Sequence, residues 1–254
     1  MLFEIQKPSF FKRFSAGLFD LIITLVLITG FAFIISSVTG YADYSAEALE
    51  IMESYTKEYN VDLSISWEED YLKLTEEEQQ RFIEGKNALN NDEAYIRNQN
   101  MMLSLVLVII SLSPLLALLV WELLIPLLLK NGQTLGKKIF GIGVMRVDGI
   151  EVSPVIMFIR TILGKFTVET MIPVIIAIMV LFGGAGILGT ISLMGILVLQ
   201  CGMYLFTQYH TMIHDSLAKT VVVEMSSQLI FKSEQDLIDY KNKLQQEAAQ
   251  NGQY

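Results

Sequence analysis

Two carboxylates lie inside apolar stretches of the sequence, where an ionisable side chain is energetically costly. Asp20 interrupts the stretch from about Phe14 to Val38, and Glu122 lies within residues 101–129. An ionisable group in a membrane span suggests a functional site by default, because it must be paired or hydrated to be tolerated. The helical rise from the flanking basic residues places both carboxylates roughly 10–12 Å inside the same end of their helices.

These carboxylates support two interpretations. In the functional one, Asp20 and Glu122 bind protons or a cation in a cavity open to the cytoplasm. In the structural one, they pair with basic residues and hold the helices together, and a carboxylate paired in this way exchanges protons poorly near pH 7. We further expect Arg13 to bridge Asp20 and Asp215. The candidate ligand-binding or structural charge cluster consists of Arg13, Asp20, Glu122, Arg160, His214 and Asp215.

The sequence offers little sign of a metal, a cofactor or a catalytic constellation. His210 and His214 have the i, i+4 spacing of helical metal ligands, but no third ligand is identifiable. We therefore predict no metal and no cofactor. The sequence also contains no serine elbow, glycine-rich phosphate loop or HExxH pattern, so we expect a protein that is not an enzyme.

The amino-acid composition indicates the class of protein to which these residues belong. The 254 residues are 52% hydrophobic and 18% charged, with a mean hydropathy of +0.47. A soluble domain carries about a quarter charged residues. Because the apolar residues form runs long enough to cross a bilayer, the chain is predicted to be an integral membrane protein. This excludes a soluble globular enzyme, a nucleic-acid binder and a disordered chain.

The apolar runs predict about four transmembrane helices. Residues 1–38 contain the first, which is too long for the core of a secretory signal, the alternative that its basic flank suggests. Residues 101–129 form the second. Residues 167–206 are too long for one span, and Gly183 to Gly186 suit a tight turn between a third and a fourth helix. A single long helix is the alternative.

Charge predicts the orientation of these spans. Residues 39–100 carry 15 acidic and five basic residues, whereas residues 130–166 carry two acidic and six basic ones. Since basic residues beside spans stay in the cytoplasm, residues 130–166, the tail of residues 207–254 and the N-terminus are predicted to be cytoplasmic. Residues 39–100 then form an extracytoplasmic insertion. The six basic residues are Lys130, Lys137, Lys138, Arg146, Arg160 and Lys165.

The segments outside the spans have local patterns of their own. Asn60 to Trp67 alternates as in a short strand, and Thr75 to Glu78 is a capping box that opens a helix to about Leu89. Residues 143–152 predict a β-hairpin that turns at Asp148-Gly149, to which residues 220–224 could add a strand. The predicted fold is an all-α membrane protein with a small cytoplasmic β-hairpin or strand element and a mixed extracytoplasmic insertion.

Three stretches lie at the cytoplasmic ends of the predicted spans: residues 11–20, residues 132–141 and residues 214–223. Their order and placement resemble the RDD family of prokaryotic membrane proteins. The resemblance maps the arginine and two aspartates of the family onto Arg13, Asp20 and Asp215.

The resemblance implies a multi-pass protein of a bacterial or archaeal cell membrane. The role of the family is largely uncharacterised, and transport, including sodium–proton exchange, is proposed for some members. This chain departs from the family in its long segment 39–100 and at Lys219, where a glycine is common.

Two functional hypotheses follow. The first is transport of a small cation, coupled to protons through Asp20 and Glu122, by a homo-oligomer. The second is a non-enzymatic membrane partner that regulates another protein through its extracytoplasmic cap or its cytoplasmic tail. The predicted partners are the lipid bilayer, a second copy or another membrane protein, and a small cation, but no nucleic acid.

Overall fold

The chain is mostly helical, with one small antiparallel sheet, in a computed structural model that describes residues 4–129 and 132–250. Lys130, counted above among the basic residues, lies outside the described residues. The described elements are α1 (Phe10–Thr39), α2 (Tyr41–Tyr59), α3 (Glu68–Tyr71), α4 (Glu76–Asn91), α5 (Glu93–Leu129), α6 (Leu135–Ile139), β1 (Ile142–Arg146), α7 (Pro154–Leu181), α8 (Gly186–Phe206), α9 (Ile213–Leu217), β2 (Thr220–Glu224) and α10 (Glu234–Gln250).

Within the described part of the chain, four helices, α1, α5, α7 and α8, are long and apolar enough to cross a membrane. The prediction of about four spans is confirmed, and residues 167–206 contain two helices. The turn between α7 and α8 uses Gly183 and Gly186, whose φ angles are +73° and +50°. Glycine adopts such angles without steric cost, so the turn forms where the sequence suggested it.

Residues 29–113 form a compact unit with a small core of their own. The predicted strand from Asn60 to Trp67 is wrong, because these residues form turns after α2. Val61 and Leu63 are buried as the alternation suggested, but their backbone N–H groups bond to the carbonyl and hydroxyl oxygens of Thr56. The backbone donors are thus satisfied within α2 and its cap, not by a neighbouring strand.

The capping box in the same unit is confirmed. The Thr75 hydroxyl accepts a bond from the N–H of Glu78, and the Glu78 carboxylate accepts one from the N–H of Thr75. These bonds also lower the pKa of Glu78. The helix that starts here, α4, ends close to the predicted residue Leu89 and buries that side chain in the core of the unit.

The other compact unit, which comprises the remaining described residues, contains the sheet. The β element is confirmed, including the strand that residues 220–224 were predicted to add. β1 pairs along its full length with β2, with Val144 opposite Val222. The second arm of the predicted hairpin contributes an isolated bridge between Met145 and Glu151.

Both faces of this sheet are covered. On one face, Met145 and Val223 pack with Ile5, which precedes α1. On the other, Val144 and Val222 pack with Ala16 of α1. Because α1 and the segment before it cover opposite faces, the sheet fixes the end of the first membrane helix.

The residue before β2 has an unfavourable backbone conformation. Lys219 has a φ of +51°, a left-handed angle that costs a residue with a β-carbon roughly 1–2 kcal/mol. Glycine avoids this cost but loses about 0.5–1 kcal/mol more backbone entropy on folding. We expect Lys219→Gly to raise the free energy of unfolding by about 1 kcal/mol or less, measured by denaturation in detergent micelles.

Lys219→Ala is the matched control for this substitution. It removes the same charge but keeps the β-carbon, so it should give no gain in stability. Equal stabilisation by both substitutions would show that the charge, not the backbone angle, is responsible.

Candidate functional site

The carboxylate of Asp20 is the end point of several hydrogen bonds from distant parts of the chain. Its Oδ1 atom accepts bonds from Trp121 Nε1 at 3.1 Å and from the backbone N–H of Gly136 at 3.0 Å. Its Oδ2 atom accepts a bond from the hydroxyl of Thr134. The side chain is nearly fully buried, and these donors replace the water that a carboxylate loses on burial.

The segment after α5 is shaped to deliver those donors. The Thr134 hydroxyl caps α6 by accepting a bond from the N–H of Lys137. The α-carbon of Gly136 lies so close to α1 that a β-carbon would come within 2.7 Å of both the Ala16 carbonyl oxygen and Asp20 Oδ1. Thr134 and Gly136 of the 132–141 motif are therefore explained by their contact with α1.

Glu122 lies beside Asp20 in a set of lysine ion pairs. Lys165 Nζ lies 2.5 Å from Glu122 Oε1, and Lys137 Nζ lies 3.5 Å from Oε2. Lys137 Nζ is also 3.7 Å from Asp20 Oδ2, so this lysine connects the two predicted carboxylates. Arg160 Nη1 is farther from Glu122, at 3.9 Å.

Arg160 binds Asp215 of α9, the short helix that precedes β2. Its Nε and Nη2 atoms lie 3.0 and 2.9 Å from Asp215 Oδ1, which also accepts a bond from the Thr220 hydroxyl at 3.1 Å. Burial opposes ionisation of Asp215, but the guanidinium of Arg160 holds the pKa of this carboxyl well below its usual range. Asp215 is thus a permanent anion near neutral pH.

The hydrogen bonds of His214 define its tautomer. Nε2 of His214 lies 2.9 Å from Arg160 Nη2, and because a guanidinium only donates, Nε2 must accept. The ring is then neutral with its proton on Nδ1, which lies 2.8 Å from the Glu169 carboxylate. This assignment rests on the bonding pattern. It agrees with the pKa of His214, which burial lowers.

Two stretches of π-helix carry most of the charged residues of the site. Glu122 lies in Leu119–Leu124 of α5, and Arg160, Lys165 and Glu169 lie in Ile159–Met171 of α7. The wider i→i+5 turn brings residues five apart, such as Arg160 and Lys165, to one side of the helix. Such stretches are frequent at functional sites.

The predicted bridge from Arg13 to Asp20 and Asp215 is wrong. Arg13 donates to the carbonyl oxygens of Tyr209 and His210, at 3.1 and 2.8 Å, where α8 has ended. These carbonyls belong to no helix or strand and need a donor, whereas both aspartates have nearer cations. Arg13 therefore still connects α1 to the residues that follow α8, but it does so through their backbone carbonyl groups.

The other predicted residues come together. Asp20, Glu122, Arg160, His214 and Asp215 belong to one continuous network of ion pairs and hydrogen bonds. Sequence reasoning missed the roles of Trp121 and Lys137, whereas the structural interpretation expected a basic residue to pair with Glu122, as Lys165 does. The signals that could have found the first two are the position of Trp121 next to Glu122 and of Lys137 in the 132–141 motif. The full network consists of Asp20, Trp121, Glu122, Thr134, Gly136, Lys137, Arg160, Lys165, Glu169, His214, Asp215 and Thr220.

The i, i+4 spacing of His210 and His214 does not place them on one helical face. His210 precedes α9 with a φ of +52°, and its Nδ1 lies 2.8 Å from the carbonyl oxygen of Tyr204. Among residues 4–129 and 132–250, no group of three or more His, Cys, Asp and Glu side chains is arranged to hold a metal ion.

A cavity of about 800 Å³ adjoins this network. Charged groups of the network line one part of it, and apolar residues, most of them from α1, line much of the rest. Gln200 and Tyr204 of α8 contribute polar groups to the wall. The volume is in the range of small-molecule sites, so the site combines buried charge with space for a ligand.

Comparison with known proteins identifies one family. A family model described as the RDD family matches residues 7–219, which is most of the chain. No curated protein and no solved structure matched the chain. The matched range includes Asp20, the 132–141 motif and Asp215.

The contact at Gly136 leads to a test of the network. Gly136→Ala would force a β-carbon against the Ala16 carbonyl and the Asp20 carboxylate. We expect it to cost about 1–3 kcal/mol of stability, as overpacking does, measured by thermal unfolding in detergent. Gly195→Ala in α8 is the matched control, because its β-carbon would meet no atom within 4 Å. Equal effects of the two substitutions would contradict the close contact.

The neutral state of His214 predicts a pH dependence of stability. Its pKa is lowered in the folded protein and is near 6.5 in an unfolded chain, so between these values the unfolded state binds more protons. The free energy of unfolding should therefore have its full value above about pH 6.5. Below that pH it should decrease by at most about 1.4 kcal/mol per pH unit. The charged groups around the ring are Arg160, Asp215, Glu169 and Lys165.

Unfolding in detergent between pH 5 and 8 measures this slope. His214→Gln should reduce it, because a glutamine amide can still accept from Arg160 and donate to Glu169 without titrating. The chain has two histidines, so His210→Gln is the control that retains the slope. An unchanged slope in His214→Gln would refute the assignment of a neutral ring.

Proposed function

Because the chain belongs to the RDD family, we propose that it is a multi-pass membrane transporter, not an enzyme, that exchanges a small cation for protons. The observation that carries this proposal is the pairing of Glu122 with two lysines at the wall of a cavity among apolar helices. The cell membrane of a prokaryote, with both termini in the cytoplasm, is the proposed location. The basic loop that follows α5 supports this orientation.

The network has two chemically different parts. Asp215 pairs with Arg160, whose guanidinium stays protonated in proteins, so this pair is a permanent contact. Glu122 pairs most closely with Lys165, and lysine loses its proton readily when it is buried. The Lys165 side chain is 19% exposed and lines the cavity, whereas that of Arg160 is 2% exposed. Exchange chemistry is therefore assigned to Glu122 and Lys165.

The exchange conserves charge at the site. A small cation enters the cavity and binds the Glu122 carboxylate in place of the Lys165 ammonium. The displaced ammonium releases one proton to water, and the neutral amine remains beside the occupied carboxylate. Departure of the cation leaves Glu122 unpaired, and Lys165 takes up a proton and restores the ion pair. One proton then moves for each monovalent cation.

Asp20 has a positioning role in this scheme. Its carboxylate is occupied by the donors of Trp121, Thr134 and Gly136, so few lone pairs remain for a cation. It also lies near Lys137, the second lysine of Glu122. Asp20 thus holds the loop that supplies Lys137.

Cation flux in proteoliposomes across a pH gradient tests the proposal. With sodium or potassium as the probe, Glu122→Gln should reduce flux to the level of empty vesicles, because the carboxylate ligand is lost. Lys165→Gln should abolish the dependence on the pH gradient. Asp20→Asn should lower both stability and flux, since it loosens the loop.

Lys138→Gln is the matched control for a lysine substitution in this region, because Lys138 is exposed and adjoins the buried Lys137. It should retain normal flux. Normal flux in a folded Glu122→Gln protein would refute the assigned site, and no flux above empty vesicles for the wild type would refute transport.

The compact unit of residues 29–113 favours the second function, that of a membrane partner or regulator. It has its own core and exposes Trp67 and Leu72 by 74% and 66%. Contiguous exposed apolar patches mark contact surfaces, and we propose that these two side chains belong to one. In this case, deletion of about residues 43–97 would abolish co-purification of a membrane partner although the four spans still insert.

A further inference from the structure

One face of α1 carries an apolar stripe along the cavity. Phe14, Leu18, Leu21 and Leu25 follow the i, i+4, i+7, i+11 spacing of a single helical face, and all of them line the cavity. Each is about half exposed, between 47% and 57%. The stripe therefore lies along an open groove.

Aromatic side chains mark one end of this groove, where α1 begins. Phe10 stacks on Phe14, with ring centroids 5.9 Å apart, and meets the edge of Tyr204 from α8 at 6.2 Å. The guanidinium of Arg13 lies 5.4 Å from the centre of the Tyr204 ring. Aromatic rings at the end of membrane spans are typical of the interface between hydrocarbon and headgroups.

Two basic residues lie at or near the same end of the groove: Arg13, which lines the cavity, and Lys7. Lys7 is exposed, and its Nζ lies 5.6 Å above the ring of Tyr209. Arg13 lies nearby, because it donates to the carbonyl oxygen of Tyr209. The two described hydrogen bonds of Arg13 use two of its five N–H donors.

We propose that the groove between α1 and α8 binds one anionic phospholipid, with an acyl chain along the stripe and the phosphate at Lys7 and Arg13. The stripe belongs to a membrane-spanning helix, where hydrocarbon chains, not water, are the surrounding medium. Basic pockets between membrane helices bind anionic headgroups. This proposal goes beyond the cation exchange proposed at Glu122, which lines the same cavity, because it assigns a different ligand.

Charge favours a lipid over a second copy of the chain as the occupant. In a symmetric dimer the same patch faces itself, so Lys7 and Arg13 would approach the same cations of the partner. An anionic headgroup neutralises them. A zwitterionic lipid would fill the groove equally well but would supply less charge.

Gly17 provides a way to fill the groove without disturbing its walls. This residue lines the cavity, and an added β-carbon would meet no atom within 4 Å. Gly17→Leu should therefore occupy the space of an acyl chain. Gly30→Leu is the matched control on the same helix: its β-carbon is equally unobstructed, and Gly30 does not line this cavity.

Native mass spectrometry of the detergent-solubilised protein with added lipid measures the occupant. The probes are phosphatidylglycerol and phosphatidylcholine with identical acyl chains. Wild type and Gly30→Leu should each retain one phosphatidylglycerol in preference to phosphatidylcholine. Gly17→Leu should bind it on the order of tenfold more weakly. Lys7→Gln, in the exposed N-terminal segment, should reduce the preference between headgroups while it keeps the fold.

Three outcomes would overturn the lipid site: equal retention by Gly17→Leu and Gly30→Leu, equal binding of the two lipids by the wild type, or a dimer that persists without lipid and is lost in Gly17→Leu. The assay involves no ion gradient. Its result is therefore independent of whether the protein transports a cation.

Discussion

The charge of Asp20 within a membrane-spanning helix is the constraint on which the rest of this structure depends. An unpaired carboxylate at that depth would be strongly destabilising, so the chain must return to α1 with donors. It does so directly after α5, where Thr134 and Gly136 reach the carboxylate. The loop outside the spans therefore packs against the N-terminal end of α1. The same contact also positions the sheet, because β1 begins six residues after Gly136 and its residues pack on Ala16.

The second part of the network neutralises another buried carboxylate, that of Asp215, nearer the C-terminus. Asp215 leads from α9 into β2, and Arg160 of α7 neutralises it. Glu122 lies between the two parts, near lysines on one side and Arg160 on the other. A buried pair contributes little net stability, because desolvation offsets the attraction, but loss of one partner is severely destabilising. The network therefore specifies which helices and loops meet, more than it stabilises them.

Features that depend on neighbouring residues were predictable from the sequence, and features that depend on distant partners were not. The four spans follow from apolar length, the turn at Gly183 from glycine, and the start of α4 from its capping box. The strand of residues 220–224 was suggested by its valine-rich run, but its register with β1, more than 70 positions away, is encoded by no local pattern. The alternation predicted the burial of Val61 and Leu63 correctly but not that of Trp67, which is exposed, and a turn can bury alternate residues as a strand does.

The candidate site shows the same division. The acidic members were predictable because a carboxylate in an apolar stretch is conspicuous by itself. Their partners were not, because many basic residues stand near the ends of the spans and depth alone does not select among them. Arg13 illustrates this: it lies at the expected depth, yet the carbonyls of Tyr209 and His210 take its donors. Backbone carbonyl groups left unpaired where a helix ends compete with carboxylates for a cation. The sequence does not indicate which carbonyl groups will be left unpaired.

Helix α1 links the two proposed sites. One side of it holds Asp20 and Ala16 against the loop and the sheet, and the adjoining face exposes its apolar stripe to the cavity that Glu122 also lines. In the proposed mechanism, an acyl chain in the groove and a cation at Glu122 would share one cavity. Lipid occupancy and cation exchange would then be thermodynamically linked, and each would change the apparent affinity of the other by the same factor.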